Sequence, residues 1–141
     1  FQGVANIDFT VDQSASTTTT TTTTKEIQLH AKELCFASAS YTSKDGVTQH
    51  AEELHVNIKT TIVTFIFATP ITDDCITLQI VYSGFLNNQM AGFYRSSYTD
   101  IAGNSQIMAS TQFEALDARR CFPCVDEPAA KATFVVALTI P

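Results

Sequence analysis

The sequence predicts an all-β domain, in which short antiparallel strands form a β-sandwich or open curved sheets. Apolar and polar residues alternate along most of the chain, as they do in a strand that buries one face. Turn signals separate the alternating runs at residues 44–46, 69–74 and 103–104. Helical periodicity is confined to residues 113–121, where one or two helical turns could form before Pro123 ends them.

Seven alternating runs are expected to become strands. The residues that share one face in each run are, in chain order, Ile7, Phe9 and Val11; Ile27 and Leu29; Leu34 and Phe36; Leu54, Val56 and Ile58; Val63, Phe65 and Phe67; Ile76, Leu78, Ile80 and Tyr82; and Phe134, Val136 and Leu138. The run over residues 76–82 is the clearest, and the run over residues 134–138 predicts the last strand.

Length and composition predict one domain over residues 1–141, because 45% hydrophobic residues suffice for a core in a chain of this size. Residues 17–24 are eight consecutive threonines. We interpret residues 14–25 as a low-complexity, Thr-rich surface turn that tolerates a repeat expansion, in preference to a glycosylated or phosphorylated patch. No internal repeat and no Pro/Gly/Ser-rich linker divides the chain.

Charge and hydropathy argue against two classes of partner. The net charge is −6 and the pI is about 4.8, with eight Lys and Arg spread along the chain, so we expect no nucleic-acid binding. No apolar run approaches the ~20 residues that cross a bilayer, so we expect no transmembrane segment.

The two ends and the cysteines bear on the extent and the location of the protein. The chain begins Phe-Gln-Gly and ends directly after a strand-like run, so we expect that both ends are cut and that the β domain is truncated at its C-terminal end. Four Cys do not form a recognisable secreted disulfide framework, and no Asn-x-Ser/Thr sequon occurs. We therefore expect a cytoplasmic location.

Two sequence motifs resemble catalytic or metal-binding sites but have the wrong spacing or context. His50 and His55 flank two Glu, but a zinc helix needs its two His four apart on one face. Cys121 and Cys124 form a lone C-x-x-C without a second pair and outside a βαβ unit, so packing is the preferred interpretation. Neither a Gly-rich phosphate loop nor a Gly-x-Ser-x-Gly elbow is present. The sequence thus predicts no metal ligands, no catalytic residues and no cofactor bound by this chain.

Many polar residues lie in the turn-rich segment at residues 113–132, which we call the connection. Five of them suit ion pairs that tie a long loop to the sheet: Asp117, Arg119, Arg120, Asp126 and Glu127. Gln112 and Glu114 stand two apart at a predicted strand end, so both side chains should point the same way. A carboxylate and an amide on one rigid edge could receive an ammonium group.

The same region resembles a known family. The runs Gln89-Met90-Ala91-Gly92-Phe93-Tyr94-Arg95-Ser96 and Thr111-Gln112-Phe113-Glu114, followed by Asp117-Ala118-Arg119-Arg120, Phe122-Pro123-Cys124 and Asp126-Glu127-Pro128-Ala129, are similar to the N-terminal domain of the M1 zinc aminopeptidases. The puromycin-sensitive branch looks nearest, and the resemblance covers essentially the whole chain.

The resemblance implies a saddle-shaped antiparallel β domain that packs against a zinc-dependent catalytic domain and acts on peptide N-termini. By position, Glu114 would bind the substrate α-ammonium and Gln112 would line the S1 pocket for the first side chain. The zinc helix and the Gly-x-Met-Glu-Asn loop of the family do not occur here, so zinc is expected in the parent enzyme and this chain alone is expected to be inactive. Cys121, Val125 and the Thr run depart from the family pattern.

Two other hypotheses remain open at this stage. The chain could be a non-catalytic β module that binds a protein partner, as a truncated paralogue. It could also belong to an M1 relative whose metal site has decayed. The sequence beyond Pro141 would separate these hypotheses, because only an active parent needs an intact zinc helix and exopeptidase loop.

Overall fold

The computed structural model describes residues 1–10, 24–72 and 75–140. In these ranges the regular structure consists of β-strands and one short 3₁₀ turn, without an α-helix. The strands are β1 (Gln2–Thr10), β2 (Thr24–His30), β3 (Leu34–Ser43), β4 (Thr48–Asn57), β5 (Ile62–Ile71), β6 (Cys75–Gly84), β7 (Gly92–Thr99) and β8 (Ser105–Gln112), and the 3₁₀ turn is Ala118–Arg120. The predicted all-β class is confirmed.

Six strands form one antiparallel sheet in the order β1-β6-β3-β4-β5-β2. Strand β4 changes partner along its length: His50 is opposite Ser40 of β3, whereas Ala51 is opposite Phe67 of β5. A register shift between Ala51 and Glu53 marks an irregularity at this change of partner. Because a bulge bends its strand and increases the local twist, β4 lets the sheet curl.

The core lies inside this curl. Strand β6 alternates exposed and buried residues, and Leu78 and Ile80 are fully buried. Phe65 and Phe67 of β5 belong to the same apolar cluster, so both halves of the sheet close over one core. The ring of Phe67 meets that of Tyr41 edge to face, with centroids 4.8 Å apart. Burial of each such side chain stabilises the fold by about 1.5–3 kcal/mol.

Strands β7 and β8 form a separate two-stranded hairpin, with Gly92 opposite Gln112 at its open end and Thr99 opposite Ser105 near its tip. The hairpin contacts the large sheet through the rings of Phe93 and Phe1, whose centroids are 5.1 Å apart. The hairpin therefore places Gln112 at the end that faces the rest of the domain.

The structure departs from the sequence-based expectations at several positions. Residues 134–138 are not a strand, so that prediction was wrong: Val135 and Val136 are 102% and 73% exposed. A strand requires a neighbour for its backbone groups, and no strand of the described part pairs with this segment. Leu54 and Val56 do lie in a strand, but they are exposed rather than buried. Ile58 was expected in the same strand, but it follows the end of β4 and is 86% exposed.

Two further predictions fall on residues whose structure is not described. Val11 lies outside the described residues, as does most of the Thr-rich turn predicted over residues 14–25. Only Thr24 and Lys25 of that turn are described, and both belong to the start of β2.

The turn at the tip of the hairpin predicts a pH dependence. The Asp100 carboxylate accepts hydrogen bonds from the backbone N–H groups of Asn104 at 2.8 Å and Ala102 at 2.9 Å, and from the Gln106 amide at 3.1 Å. The backbone hydrogen bond from Asn104 is the main cause that lowers the pKa of Asp100 below its ordinary value of 3.8. These bonds stabilise the turn above pH 3.8, and the contribution is lost as the pH falls through the lower pKa of the folded state.

In NMR titrations we expect the Asn104 amide signal to follow Asp100 ionisation, and Asp100→Asn to abolish this dependence. An Asp100 carboxyl that titrates at or above 3.8 would contradict the assignment.

Candidate functional site

Gln112 and Glu114 stand on an edge of the domain. Gln112 is the last residue of β8, and Glu114 lies in the turn that follows. Both residues are exposed, and among the described residues neither side chain forms a hydrogen bond or an ion pair. Between them Phe113 is half-buried, and its ring meets the ring of Phe122 edge to face at 5.8 Å. The edge thus combines an anchored backbone with two polar side chains that are open to a ligand.

The turn that contains Glu114 is closed by the backbone. The N–H of Asp117 donates to the carbonyl oxygen of Phe113 at 2.9 Å, and the N–H of Arg120 donates to that of Asp117 at 3.1 Å. The peptide bond between Glu114 and Ala115 is cis. Consecutive turns therefore run from the end of β8 into the 3₁₀ turn, which begins at Ala118.

Arg119 is the buried centre of the connection, with 8% of its surface exposed. Its Nε donates to Asp126 Oδ2 at 2.8 Å, and its Nη2 donates to the backbone carbonyl of Asp126 at 3.2 Å. Its Nη1 donates to the Thr61 hydroxyl at 2.7 Å. One guanidinium thus holds the far end of the connection to the loop between β4 and β5.

Arg120 holds a second set of partners. Its Nε donates to Asp117 Oδ1 at 2.7 Å, and its Nη1 donates to the carboxylate of Glu33. Glu33 lies between β2 and β3 and has no sequence signal that would link it to Arg120. Glu127 was expected in the network, but it is exposed, and no ion pair of the described residues includes it.

Backbone hydrogen bonds attach the connection to the end of β2. The N–H of His30 donates to the carbonyl of Cys124 at 2.8 Å, and the N–H of Cys124 donates to the carbonyl of His30 at 3.1 Å. The N–H of Asp126 donates to His30 Nδ1 at 3.1 Å. Lys32 donates its N–H to the carbonyl of Arg119 at 2.9 Å. The connection is therefore fixed to the sheet at several consecutive points.

The cysteines and histidines do not assemble a metal site in the described part of the chain. Burial raises the pKa of the Cys121 thiol to about 11 and that of the Cys124 thiol to about 12, so both are protonated at neutral pH. Metal ligation and nucleophilic attack require the thiolate. His50 and His55 are exposed on β4. Across residues 1–10, 24–72 and 75–140, no group of three or more His, Cys, Asp or Glu could hold a metal ion.

An apolar groove of about 430 Å³ lies beside the connection. Phe113 and Phe122 form one wall, and Phe134 and Val136 form another. The ring of Phe134 is 5.9 Å from that of Phe122.

In the described residues, no helix is both long enough and apolar enough to span a bilayer.

The curled antiparallel sheet with its attached hairpin defines an all-β domain, and the comparisons give its family. Residues 1–141 match the family described as Peptidase M1 N-terminal domain. The chain is 39% identical over 142 residues to the alanine/arginine aminopeptidase of Saccharomyces cerevisiae, covering 98% of this chain and 15% of that protein. It is 36% identical over 140 residues to the puromycin-sensitive aminopeptidase of Caenorhabditis elegans, covering 99% of this chain and 14% of that protein.

A shorter match reaches a plant relative. Over 64 residues the chain is 59% identical to aminopeptidase M1-B of Oryza sativa subsp. japonica, covering 45% of this chain and 7% of that protein.

The chain therefore belongs to the Peptidase M1 N-terminal domain family, as the sequence motifs indicated. It spans about 15% of the length of the yeast relative.

The Arg119–Asp126 pair should carry much of the stability of the connection. Asp126→Ala removes one partner of a buried ion pair and leaves the guanidinium uncompensated, so we expect a loss of ~3–5 kcal/mol in the free energy of unfolding. Urea denaturation measures this loss. The neighbouring exposed Glu127→Ala is the control and should stay within about 0.5 kcal/mol of the parent chain. Equal effects of the two substitutions would show that the pair contributes little.

The thiols should divide into two reactivity classes. Cys35 and Cys75 are exposed, whereas Cys121 and Cys124 are partly buried with raised pKa values of about 11 and about 12. The thiolate is the group that attacks a disulfide reagent, so only accessible and ionised thiols react quickly. In Ellman titrations at pH 8 we therefore expect Cys35 and Cys75 to react rapidly in the folded chain, and Cys121 and Cys124 to react only in denaturant. Rapid labelling of Cys121 or Cys124, mapped by mass spectrometry, would disprove the burial.

Proposed function

We propose that this domain belongs to a metallo-aminopeptidase that removes single residues from peptide N-termini. In this proposal Glu114 binds the α-ammonium of the substrate, and Gln112 shapes the S1 pocket for the first side chain. The single observation that supports it is the exposed Glu114 carboxylate, which has no partner among the described residues and sits on a fixed edge beside the Gln112 amide.

Electrostatics explains why an exopeptidase needs such a group. The free ammonium distinguishes the end of a peptide from every internal residue. A carboxylate at a fixed distance from the scissile bond can therefore bind the terminus selectively. When the substrate covers the site and removes water, the attraction between the two charges strengthens. Positioning by one strong anchor also brings the reacting bond into register, which lowers the entropic part of the barrier.

The hydrolytic chemistry is proposed to come from outside the described residues. The family implies zinc, which supplies an activated water and polarises the scissile carbonyl when bound. The described residues do not fit such a site, because no suitable group of ligands lies together in them. In this proposal the described residues bind and orient the peptide terminus.

Substitution of Glu114 tests the proposal in the intact protein. Glu114→Gln keeps the shape and removes the charge, so we expect kcat/KM for an aminoacyl fluorogenic substrate to fall on the order of a hundredfold, which lies within the ~2–5 kcal/mol typical of a lost buried charge pair. Zinc content, measured by elemental analysis, should not change.

Glu127→Gln is the matched control, because Glu127 is an exposed glutamate on the same connection. It should leave kcat/KM unchanged. The isolated chain should release no product, with or without added zinc. Unaltered kinetics in Glu114→Gln would remove Glu114 from the substrate site, and zinc-dependent turnover by the isolated chain would place the hydrolytic site within it.

A non-catalytic role as a protein-binding module is the second candidate. The observation in its favour is the exposed apolar segment after residue 131, in which Val135 is 102% and Leu138 is 76% exposed. Apolar side chains in such a segment are characteristic of a surface that contacts other protein. Aminopeptidase activity of the intact protein decides between the two functions, since a pure binding module has none.

We also propose that the protein works in the cytoplasm. Its four cysteines are free thiols in the structure, and thiols persist in a reducing compartment. Imaging of the intact protein with a fluorescent tag, supported by cell fractionation, tests this location.

A further inference from the structure

We infer that Gly92 and Arg120 are positioning residues, which set the geometry of the edge that carries Gln112 and Glu114. This inference rests on the proposed function, because it assigns these two residues a role in recognising the substrate ammonium. Neither residue has to touch the substrate. They act through the backbone at the end of β8 and through the turn that follows it.

Gly92 controls one side of the edge. It lies directly opposite Gln112 in the β7–β8 ladder, is buried, and has a φ of 71°. A Cβ added at Gly92 would lie 2.5 Å from Arg120 Cβ and 3.1 Å from the backbone oxygen of Asp117. Any side chain at Gly92 would therefore push the hairpin away from the connection, and Gln112 would move with it.

Arg120 controls the other side. Its aliphatic stem packs against the Gly92 backbone, while its guanidinium bonds Asp117 and reaches Glu33 between β2 and β3. Asp117 in turn bonds back to Phe113, so Glu114 lies in a turn with both ends held. Only 10% of the Arg120 side chain is exposed.

The planar fork of arginine explains why this position requires that residue. It donates in two fixed directions at once, to Asp117 and to Glu33, whereas a lysine ammonium is a single charged point on a flexible stem. Lysine would keep the packing against Gly92 but would not hold both carboxylates in the same geometry. Because a shift of about 1 Å in a positioning group can cost on the order of a hundredfold in rate, a loosened turn should weaken ammonium recognition.

Arg119 offers a matched control. It is adjacent in sequence, is buried, and also bonds a carboxylate, but its partners are Asp126 and Thr61 rather than Asp117 and Glu33. A purely structural role for Arg120 predicts that substitutions at the two arginines act alike. A positioning role predicts that only Arg120 affects recognition of the ammonium group.

The test uses the intact protein and two inhibitors. Leucine hydroxamate carries the α-ammonium, and isocaproic hydroxamate is its desamino counterpart. We expect Arg120→Ala to raise the inhibition constant of leucine hydroxamate on the order of tenfold, while that of the desamino compound changes less than about twofold. Arg120→Lys should restore part of the selectivity. Gly92→Ala should resemble Arg120→Ala, and Arg119→Lys should preserve the ratio of the two constants.

A second readout does not depend on activity. In hydrogen–deuterium exchange of the intact protein, the peptide that spans residues 108–116 should exchange faster in Arg120→Ala and in Gly92→Ala than in Arg119→Lys. Equal exchange of this peptide in all variants would overturn the inference, whatever the inhibitors show.

Glu114→Gln, assayed in parallel, separates the two claims. If Glu114→Gln abolishes the preference for leucine hydroxamate and Arg120→Ala does not reduce it, the positioning role is wrong and the proposed function stands. If Glu114→Gln leaves the preference intact, the proposed ammonium site is wrong and the inference fails with it. Loss of the preference in both variants, with Arg119→Lys normal, supports both claims.

Discussion

Two guanidinium groups, that of the buried Arg119 and that of the largely buried Arg120, hold the connection after β8 in place. The connection after β8 has no ladder of its own, so its shape depends on side chains and on short backbone bonds. Arg119 binds Asp126, and Arg120 binds Asp117 and Glu33. A buried ion pair is costly to desolvate and adds stability only when its geometry is good, but it strongly disfavours any arrangement that separates the charges. Such pairs suit a segment that must adopt one conformation.

The same constraint explains how a small hairpin can have a well-defined edge. An isolated two-stranded hairpin is marginally stable in water. Here β7 is held by Gly92 against Arg120 and by the Phe93 ring against Phe1, and the turn after β8 is held by the ring of Phe113. The rigidity of the edge therefore comes from the connection and from the large sheet rather than from the hairpin itself.

The alternation of apolar and polar residues predicted most strands of the large sheet. Features that depend on contacts between residues far apart in the sequence could not be predicted in this way. Alternation identified β5 and β6 because their inward side chains are buried. Charge composition placed Arg119 and Asp126, which lie seven residues apart, in one set of ion-pairing residues without assigning the pair. Glu33 was missed because it is 87 residues from Arg120 and no local pattern links the two.

The prediction of a strand at residues 134–138 was wrong because alternation indicates only that one face is apolar, whereas a strand also needs a neighbour to pair with. Gln112 was placed correctly at a strand end, but the contact of Gly92 with Arg120 depends on tertiary packing that composition does not encode.

The carboxylates of the connection divide into those that are paired within the fold and Glu114, which is proposed to bind the substrate. Asp117, Asp126 and Glu33 all bond guanidinium groups, so their charge is already compensated within the fold. Glu114 is exposed and has no such partner among the described residues, although it lies between Phe113 and Asp117, whose backbones are bonded to each other. An acid that only solubilised the surface would not need a turn fixed at both ends. A carboxylate that must meet a cation at one distance does need it, because freedom lost on binding would otherwise reduce the affinity.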